Sequence, residues 1–360
     1  MQPGGSGAFS MIAINLAKDW VSLKQAFRLH PSPTNFHYAD TAGNTGWQVI
    51  GFVPQRKAGD GLLPVPGDGR YDWTGYKDFR ALPSEYNPAR GWFASANQNN
   101  LPADWPKARV LAAQPRHTLA DSVALQHDTF STPAMQFVAA LPDAPSAAAK
   151  PAATMLAGWN LRLDRGSAAA ALYEIVWRDL SKRVLAELVP DRAKALVTDI
   201  APSILLAEAK KRPALVDAAL ASGWQEAQRL LGAQPAAWRW DTLHQVRITH
   251  PLSRIPAIAA AFPPLEGSGS GGDSYTVMAR WLGDGPSWRT GGGASYIQVI
   301  DVGGWDNSLM LNLPGQSNDP KSPHYRDQYA PWIDGQMQPM PFSRAAVDAQ
   351  ATTRTLLQPG

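Results

Sequence analysis

The chain of 360 residues contains no cysteine. That excludes a disulfide framework and any thiolate metal site, and it is compatible with either side of a bacterial membrane. No apolar run approaches the length of a transmembrane helix, and the first residues, "MQPGGSGAFSMIAINLAKDW", lack the basic n-region and cleavage site of a signal peptide. Charge is nearly balanced. Thirty-three Lys and Arg against 30 Asp and Glu leave a formal net charge of +3 with no basic block, so there is no electrostatic footprint for nucleic acid. No serine stands in G-x-S-x-G, which removes the nucleophile elbow of a conventional Ser-His-Asp hydrolase. The seven histidines, His30, His37, His117, His127, His244, His250 and His324, form neither H-E-x-x-H nor a close pair, so their spacing does not support a metal centre. They read as structural or exposed, His324 in "SPHYRD" being placed to hydrogen-bond a loop. "GSGSGG" at 267–272 matches G-x-G-x-x-G formally. Pro263 and Pro264 precede it, however, and a β-type run follows where a dinucleotide site needs a helix.

What is present is enough to bury a core: 44% of the residues are hydrophobic, in a length suited to one large domain or two ordinary ones. Residues 10–28 place Ile12, Leu16, Trp20, Leu23 and Phe27 at three- and four-residue intervals, which predicts one amphipathic helix. From Thr118 to about Ile258 the text is rich in Ala and Leu with helical spacing, and Pro142, Pro190, Pro202, Pro213 and Pro235 divide it into separate helices. Beyond Ser274, "SYTVMARWL", "ASYIQVIDV" and "SLMLNL" return to β-type runs between Gly-rich turns, so a sheet resumes there. "LPDAPSAAAKPAA" and "EGSGSGGD" read as flexible surface connections.

The richest stretch for chemistry runs from Thr34 to Pro102. Tyr38 and Trp47 flank "ADTAGNTG", in which Asp40, Gly43, Asn44 and Gly46 supply positive-φ positions, and this predicts a hairpin. "GDGLLPVPGDG" leaves little room for regular structure and predicts an ordered loop carrying Leu62, Leu63 and Val65 inward, pinned by Trp73, Tyr76 and Phe79. Trp92, Phe93 and Ala94 have β character, and "NQNN" follows. On composition alone an asparagine cluster after a strand is a capped turn. The alternative is a carboxamide N–H aimed into a cleft as an oxyanion-hole donor, stabilising the charge of a tetrahedral intermediate.

Taken together and in order, the Trp20 helix, "NFHYAD..GN.G", "GDGLLPVPG", "YDWTGY", "YNP..G" and "ANQNN" resemble the middle of the large subunit of the penicillin acylase family of N-terminal-nucleophile hydrolases. "ASY.QVIDVGGWDNS" and "PGQSNDPKSPHYRD" extend the likeness towards the C-terminus, so that it covers nearly the whole chain. No single segment is diagnostic; their order and number make the signal specific.

The resemblance implies a catalytic Ser freed by autoproteolysis as the first residue of the large subunit, its own α-amine acting as base. Its motif order places that Ser upstream of residue 1, and Ser6 in "GGSG" lacks the family's following sequence, so no nucleophile is expected in this chain. Asn99 aligns with the oxyanion-hole Asn, with Asn97 and Asn100 near enough to exchange with it through a loop shift. Thr34 falls where the family has a residue lining the acyl pocket, supported by Asn35 and Phe36. The family's active-site Arg lies downstream of the asparagines in a segment that is short here, between Pro106 and Leu111, and Arg109 is the nearby candidate. Many members hold a structural calcium partly through the loop that aligns near Gly61. Its other ligands would fall upstream or in the shortened segment, so neither a cofactor nor a metal is expected.

The fold implied is α/β (α+β): part of an αββα N-terminal-nucleophile sandwich with a large helical insertion. Residues 1–116 carry the helix, hairpin and active-site floor, 117–262 the helical segment, and 263–360 the β-rich segment returning to the sheet. The function implied is hydrolysis of linear amides, acylated amines such as β-lactams or acyl-homoserine lactones, in the periplasm or outside the cell. The small subunit and the start of the large one are the missing partners, and the chain alone is expected to be inactive; neither membrane nor nucleic acid is an expected partner. Two alternatives remain from the residues: a truncated non-catalytic remnant, and a carbohydrate-binding module using Trp92, Trp105, Trp281, Trp288 and Trp305 as stacking surfaces.

Overall fold

The computed structural model describes residues 7–61, 64–93, 95, 117–283 and 287–358, with the side chains of residues 7–9 left aside. They divide into two compact units, Met1–Asn97 and Gln98–Gly360.

In the first unit the predicted single helix is two, Gly7–Asn15 and Trp20–Ala26. The break has a local cause. Asp19 is extended and caps the second helix, accepting from the Ser22 N–H at 2.7 Å while the Ser22 side chain takes the Asp19 N–H, a reciprocal capping box. Of the expected stripe Trp20, Leu23 and Phe27 are buried, joined by Ala26, whereas before the break Ile12 and Leu16 are exposed and Ile14 is buried instead.

That apolar cluster is roofed by an antiparallel sheet of three strands, β1 (Thr34–Ala39), β2 (Thr45–Ile50) and β5 (Ser84–Tyr86), in the order β1-β2-β5. Register pairs Phe36 with Gln48 and Tyr38 with Gly46, and the period of two sends Phe36, Tyr38, Gly46, Gln48 and Ile50 to the helix side. Phe36 packs on Phe27, ring centroids 4.9 Å apart, and Trp20 lies between Tyr38 and Tyr86. Burying Phe27 alone contributes about 1.5–3 kcal/mol. The hairpin forms as expected, but positive φ is confined to Gly43; Gly46 is extended, and a Cβ there would meet the Trp20 ring at 2.7 Å. Close approach to the indole, not turn geometry, is the reason for glycine at 46.

A second hairpin pairs β3 (Pro54–Arg56) with β4 (Trp73–Tyr76), and the loop between them is fastened by Lys57, whose N–H donates to the Asp72 carbonyl and whose ammonium donates to the Gly69 carbonyl. Val65, expected inward, is exposed, as are Trp73 and Tyr76. Leu62 and Leu63 lie outside the described residues. Trp92 and Phe93 form no strand.

In the second unit the prolines divide the helices largely as expected. Pro202 and Pro213 each open a helix, Pro202–Lys211 and Pro213–Leu231, where a missing N–H costs nothing. The long helix Ala168–Leu188 starts at Ser167, which accepts from the Ala170 N–H, and buries Leu172, Tyr173, Val176, Leu180 and Val184 in the centre of the main core. The Ala-rich connection is not all surface: Ala149 is buried and helix Lys150–Ala157 follows it at once.

The β-type runs form small antiparallel pairings: β6 (Gln245–Ile248) with β7 (Leu265–Gly269), β8 (Arg280–Leu282) with β9 (Thr290–Gly293), and β10 (Tyr296–Val299) with β11 (Leu309–Asn312) and β12 (Gln338–Pro339). β7 overturns one expectation directly. "EGSGSGGD" is not a flexible surface connection but a strand running into a buried turn, Ser270 to Asp273. Glycine is there because backbone passes against backbone: a Cβ on Gly269 would overlap the Asp241 carbonyl oxygen, and one on Gly271 would meet the Leu163 carbonyl at 2.8 Å. No helix of the described residues is long and apolar enough to cross a membrane.

Candidate functional site

The pleat of β1 separates the three residues that sequence placed together at the acyl pocket. Thr34 and Phe36 share the helix-side register, with Phe36 spent on Phe27, whereas Asn35 stands on the opposite face. There its side-chain oxygen accepts from the Trp47 indole N–H at 3.0 Å.

This opposite face is the polar one. It carries Asn35, His37, Trp47 and Glu85, brought side by side by the pairings His37 to Trp47 and Trp47 to Glu85. Glu85 is held by both terminal nitrogens of Arg90, which keeps its carboxyl below the usual range, and the Arg90 guanidinium lies over Trp92. His37 Nε2 is 2.8 Å from the Ser95 hydroxyl and its ring meets Phe93. Half-burial lowers the pKa of His37, so at neutral pH it is an uncharged imidazole. The sequence reading missed His37 among its structural histidines, although its alternation with Phe36 in β1 was signal enough for its face.

At the hairpin turn Asp40 accepts from the backbone N–H groups of Ala42 and Asn44, from the Asn44 carboxamide and from the Tyr38 hydroxyl. Asn44 first, then Tyr38, hold its carboxyl down at about 2. Burial, reinforced by this bond, pushes the Tyr38 phenol up to about 12. The turn is therefore fixed by an ionised Asp40, and it is tied to the strand-end residue Asn87, which bonds both Thr45 and Asn44.

Ser95 stands two residues before Asn97. Asn97, Asn99, Asn100 and Arg109 themselves lie outside the described residues, as do Ser6 and Trp105. Near Gly61, the Arg56 guanidinium crowds the glycine, 2.8 Å from where a Cβ would stand. Among the described residues no group of three or more His, Asp or Glu side chains is arranged to hold a metal ion.

The second unit holds two buried polar groups that sequence did not single out. Glu174 on the long helix meets Asp273 at the turn after β7, both buried. Asp273 accepts through one carboxylate oxygen from the Tyr275 and Thr276 N–H groups at 2.7 Å each, and its other oxygen is buried without a hydrogen-bond partner among the described residues. Burial, then the Asp273 charge, raises the Glu174 pKa well above the usual range, and burial raises that of Asp273 as well. Nearby, the buried Arg280 guanidinium donates to Ser270 and to the Trp332 carbonyl, each at 2.6 Å, and lies 3.6 Å over the Trp332 ring. Burial lowers its pKa to about 10. His244, stacked on Trp240, is depressed by burial to about 4. Of the tryptophans considered as sugar-stacking surfaces, Trp288 lies under Arg178 and Trp305 stacks on Phe342. His324 bonds Asp327, closing its own loop.

A family model described as penicillin amidase matches residues 1–349. The chain belongs to the penicillin amidase family. Similar curated members include an acyl-homoserine lactone acylase QuiP from Pseudomonas syringae pv. tomato, 28% identical over 99% of this chain and 52% of that protein. Another is a penicillin acylase 2 proenzyme from Pseudomonas sp. strain SE83, 33% identical over 90% of this chain and 46% of that protein. The chain thus spans about half the length of these penicillin amidase relatives. Among solved structures, a thermostable penicillin G acylase from Alcaligenes faecalis superposes with a TM-score of 0.67, covering 99% of this chain and 74% of that one at 19% identity. The penicillin amidase fold, α+β with helices and antiparallel sheets, is therefore shared.

Proposed function

We propose that the chain is the portion of an acylase that supplies the oxyanion-hole donor and part of the acyl-pocket wall for hydrolysis of a linear amide. The observation that carries this reading is the family match over residues 1–349. Substrates are acylated amines of the kind named in its relatives, acyl-homoserine lactones or penicillins. The nucleophilic Ser comes from a segment outside these residues, in keeping with relatives about twice as long.

In this mechanism the N-terminal Ser attacks the amide carbonyl with its own α-amine as base, and the amine product leaves as an acyl-enzyme forms. Asn99 donates its carboxamide N–H to the oxyanion of each tetrahedral intermediate, and water then releases the acid. Thr34 contributes to the pocket wall, with Asn97 and Asn100 beside the donor and Arg109 as an auxiliary cation. His37 acts indirectly, fastening Ser95. A location outside the cytoplasm fits this family reading. No metal enters the chemistry.

The test is turnover by the whole gene product on a chromogenic phenylacetyl amide and on a long-chain acyl-homoserine lactone. Activity that falls by about 10²–10³ in kcat with Asn99→Ala supports the assignment, by the magnitude usual for one oxyanion donor. Turnover unaffected by Asn99→Ala removes the residue from the mechanism. Absence of turnover with an intact N-terminal Ser turns the reading to a non-catalytic relative.

A further inference from the structure

Helices Ala168–Leu188 and Pro213–Leu231 pack closely at Gly223, where a Cβ would stand 2.5 Å from a Val176 methyl. A glycine inside a helix costs about 1 kcal/mol relative to alanine, so its place here is explained by packing. A recess of about 460 Å³ opens beside this crossing, within the size range of small-molecule sites. Ile175 and Leu230 supply apolar lining, and Trp288 closes one side.

The charges around it are unequal. Asp179 is matched by Arg183 at 2.6 Å and by the Ser222 hydroxyl at 2.8 Å. Glu226 is matched by Arg229 through two bonds, 2.6 and 2.7 Å. Each carboxylate of the recess thus has an arginine of its own. Lys182, on the same wall, makes no ion pair within 4 Å among the described residues; it reaches Glu226 only through its field. Arg178 adds a guanidinium lying flat over Trp288, 3.5 Å from the ring centroid. The mouth is therefore cationic and the lining partly aliphatic and aromatic.

Such a lining disfavours a cationic ligand, and its apolar part gives nothing to a fully hydrated inorganic anion. A carboxylate at Lys182 with an apolar body against Ile175, Leu230 and Trp288 satisfies both halves. We propose that this recess of the helical segment binds a small organic carboxylate with an apolar body. The proposal does not depend on the acylase mechanism, since none of its residues belongs to the acyl-transfer region.

The experiment is isothermal titration of the protein with benzoate, inorganic phosphate and benzylamine, repeated for Lys182→Met and Lys182→Glu. Lys182 is exposed on its helix, so both variants keep the core, which circular dichroism and thermal unfolding verify. Expected are one benzoate site per chain, at least tenfold weaker binding in Lys182→Met, no measurable binding in Lys182→Glu, weaker phosphate binding and no benzylamine binding. Benzoate affinity unchanged by Lys182→Glu would place the anion elsewhere and overturn the proposal. So would phosphate binding as tight as benzoate, or no benzoate binding at all. Trp288→Phe supplies a second readout, since it keeps the lysine while shrinking the apolar wall. A loss of benzoate affinity there supports the site, and no change counts against the apolar contact on which it rests.

Discussion

The ring nitrogen Nε2 of His37, on the polar face of β1, is 2.8 Å from the hydroxyl of Ser95, 58 residues later in the chain. This bond joins the hairpin to Ser95, two residues before Asn97 in the sequence. Removing it by His37→Ala costs about 1 kcal/mol and lowers amide protection around Ser95, measured by hydrogen exchange. Because burial depresses the His37 pKa, its contribution is present above the unfolded value near 6.5 and lost as pH falls below it. The protection factor at Ser95 should therefore fall on acidification in the native protein and be low at every pH in the variant. Equal protection in both would leave the bond without a positioning role.

The buried carboxyl pair of Glu174 and Asp273 works in the opposite direction. The folded-state pKa of Glu174 is raised, so its contribution is complete below the unfolded value of 4.5 and is lost as pH rises through the folded value. Glu174→Gln keeps a donor for Asp273 and removes the ionisable group. It should flatten the alkaline limb of stability against pH and leave the protein about 1–3 kcal/mol more stable there, the scale of a buried polar group freed from its penalty. Urea unfolding at pH 6 and pH 9 measures both effects. A variant less stable than the parent at pH 9 would show that Glu174 is ionised in the fold.

Gly269→Ala puts a methyl group onto the Asp241 carbonyl oxygen, with backbone on both sides. It should destabilise the second unit by about 3 kcal/mol or more, the range of severe core strain. Gly67→Ala has open space around it and no positive φ, so it should change stability by less than about 0.5 kcal/mol, as surface substitutions do. Thermal unfolding of the pair separates close backbone approach from any general effect of losing glycine.

Asp19→Ala removes the capping box that starts helix Trp20–Ala26. The expected loss is about 1 kcal/mol, and Asp19→Asn, which can still accept from Ser22, should recover most of it. Chemical unfolding monitored by fluorescence of the first unit reads the difference.

The elements legible in sequence were those with a local cause. Pro202 and Pro213 mark helix starts because a proline has no N–H to lose there. "ADTAGNTG" marks a hairpin because Asp40 binds its own turn. The stripe at residues 10–28 held for Trp20, Leu23 and Phe27 and failed for Ile12 and Leu16, since a three- and four-residue spacing does not reveal that Asp19 caps a new helix. Glycine misled for a related reason: in "EGSGSGGD" it reads as flexibility, whereas Gly269 and Gly271 are the places where backbones pack against one another. Of the candidate site, the order of motifs was enough to name the family. Sequence adjacency did not show that Asn35 faces away from Thr34 and Phe36, because adjacent strand residues point opposite ways.

Sequence by itself determined the family and the local starts and turns, since each depends on neighbouring residues or on an ordered set of motifs. Only tertiary structure decided that His37 meets Ser95, that Glu174 is buried against Asp273, and that Lys182 and Trp288 line one recess. These pairs are 58, 99 and 106 residues apart, and nothing local encodes such a distance; burial and close packing bring the groups together and set their charge.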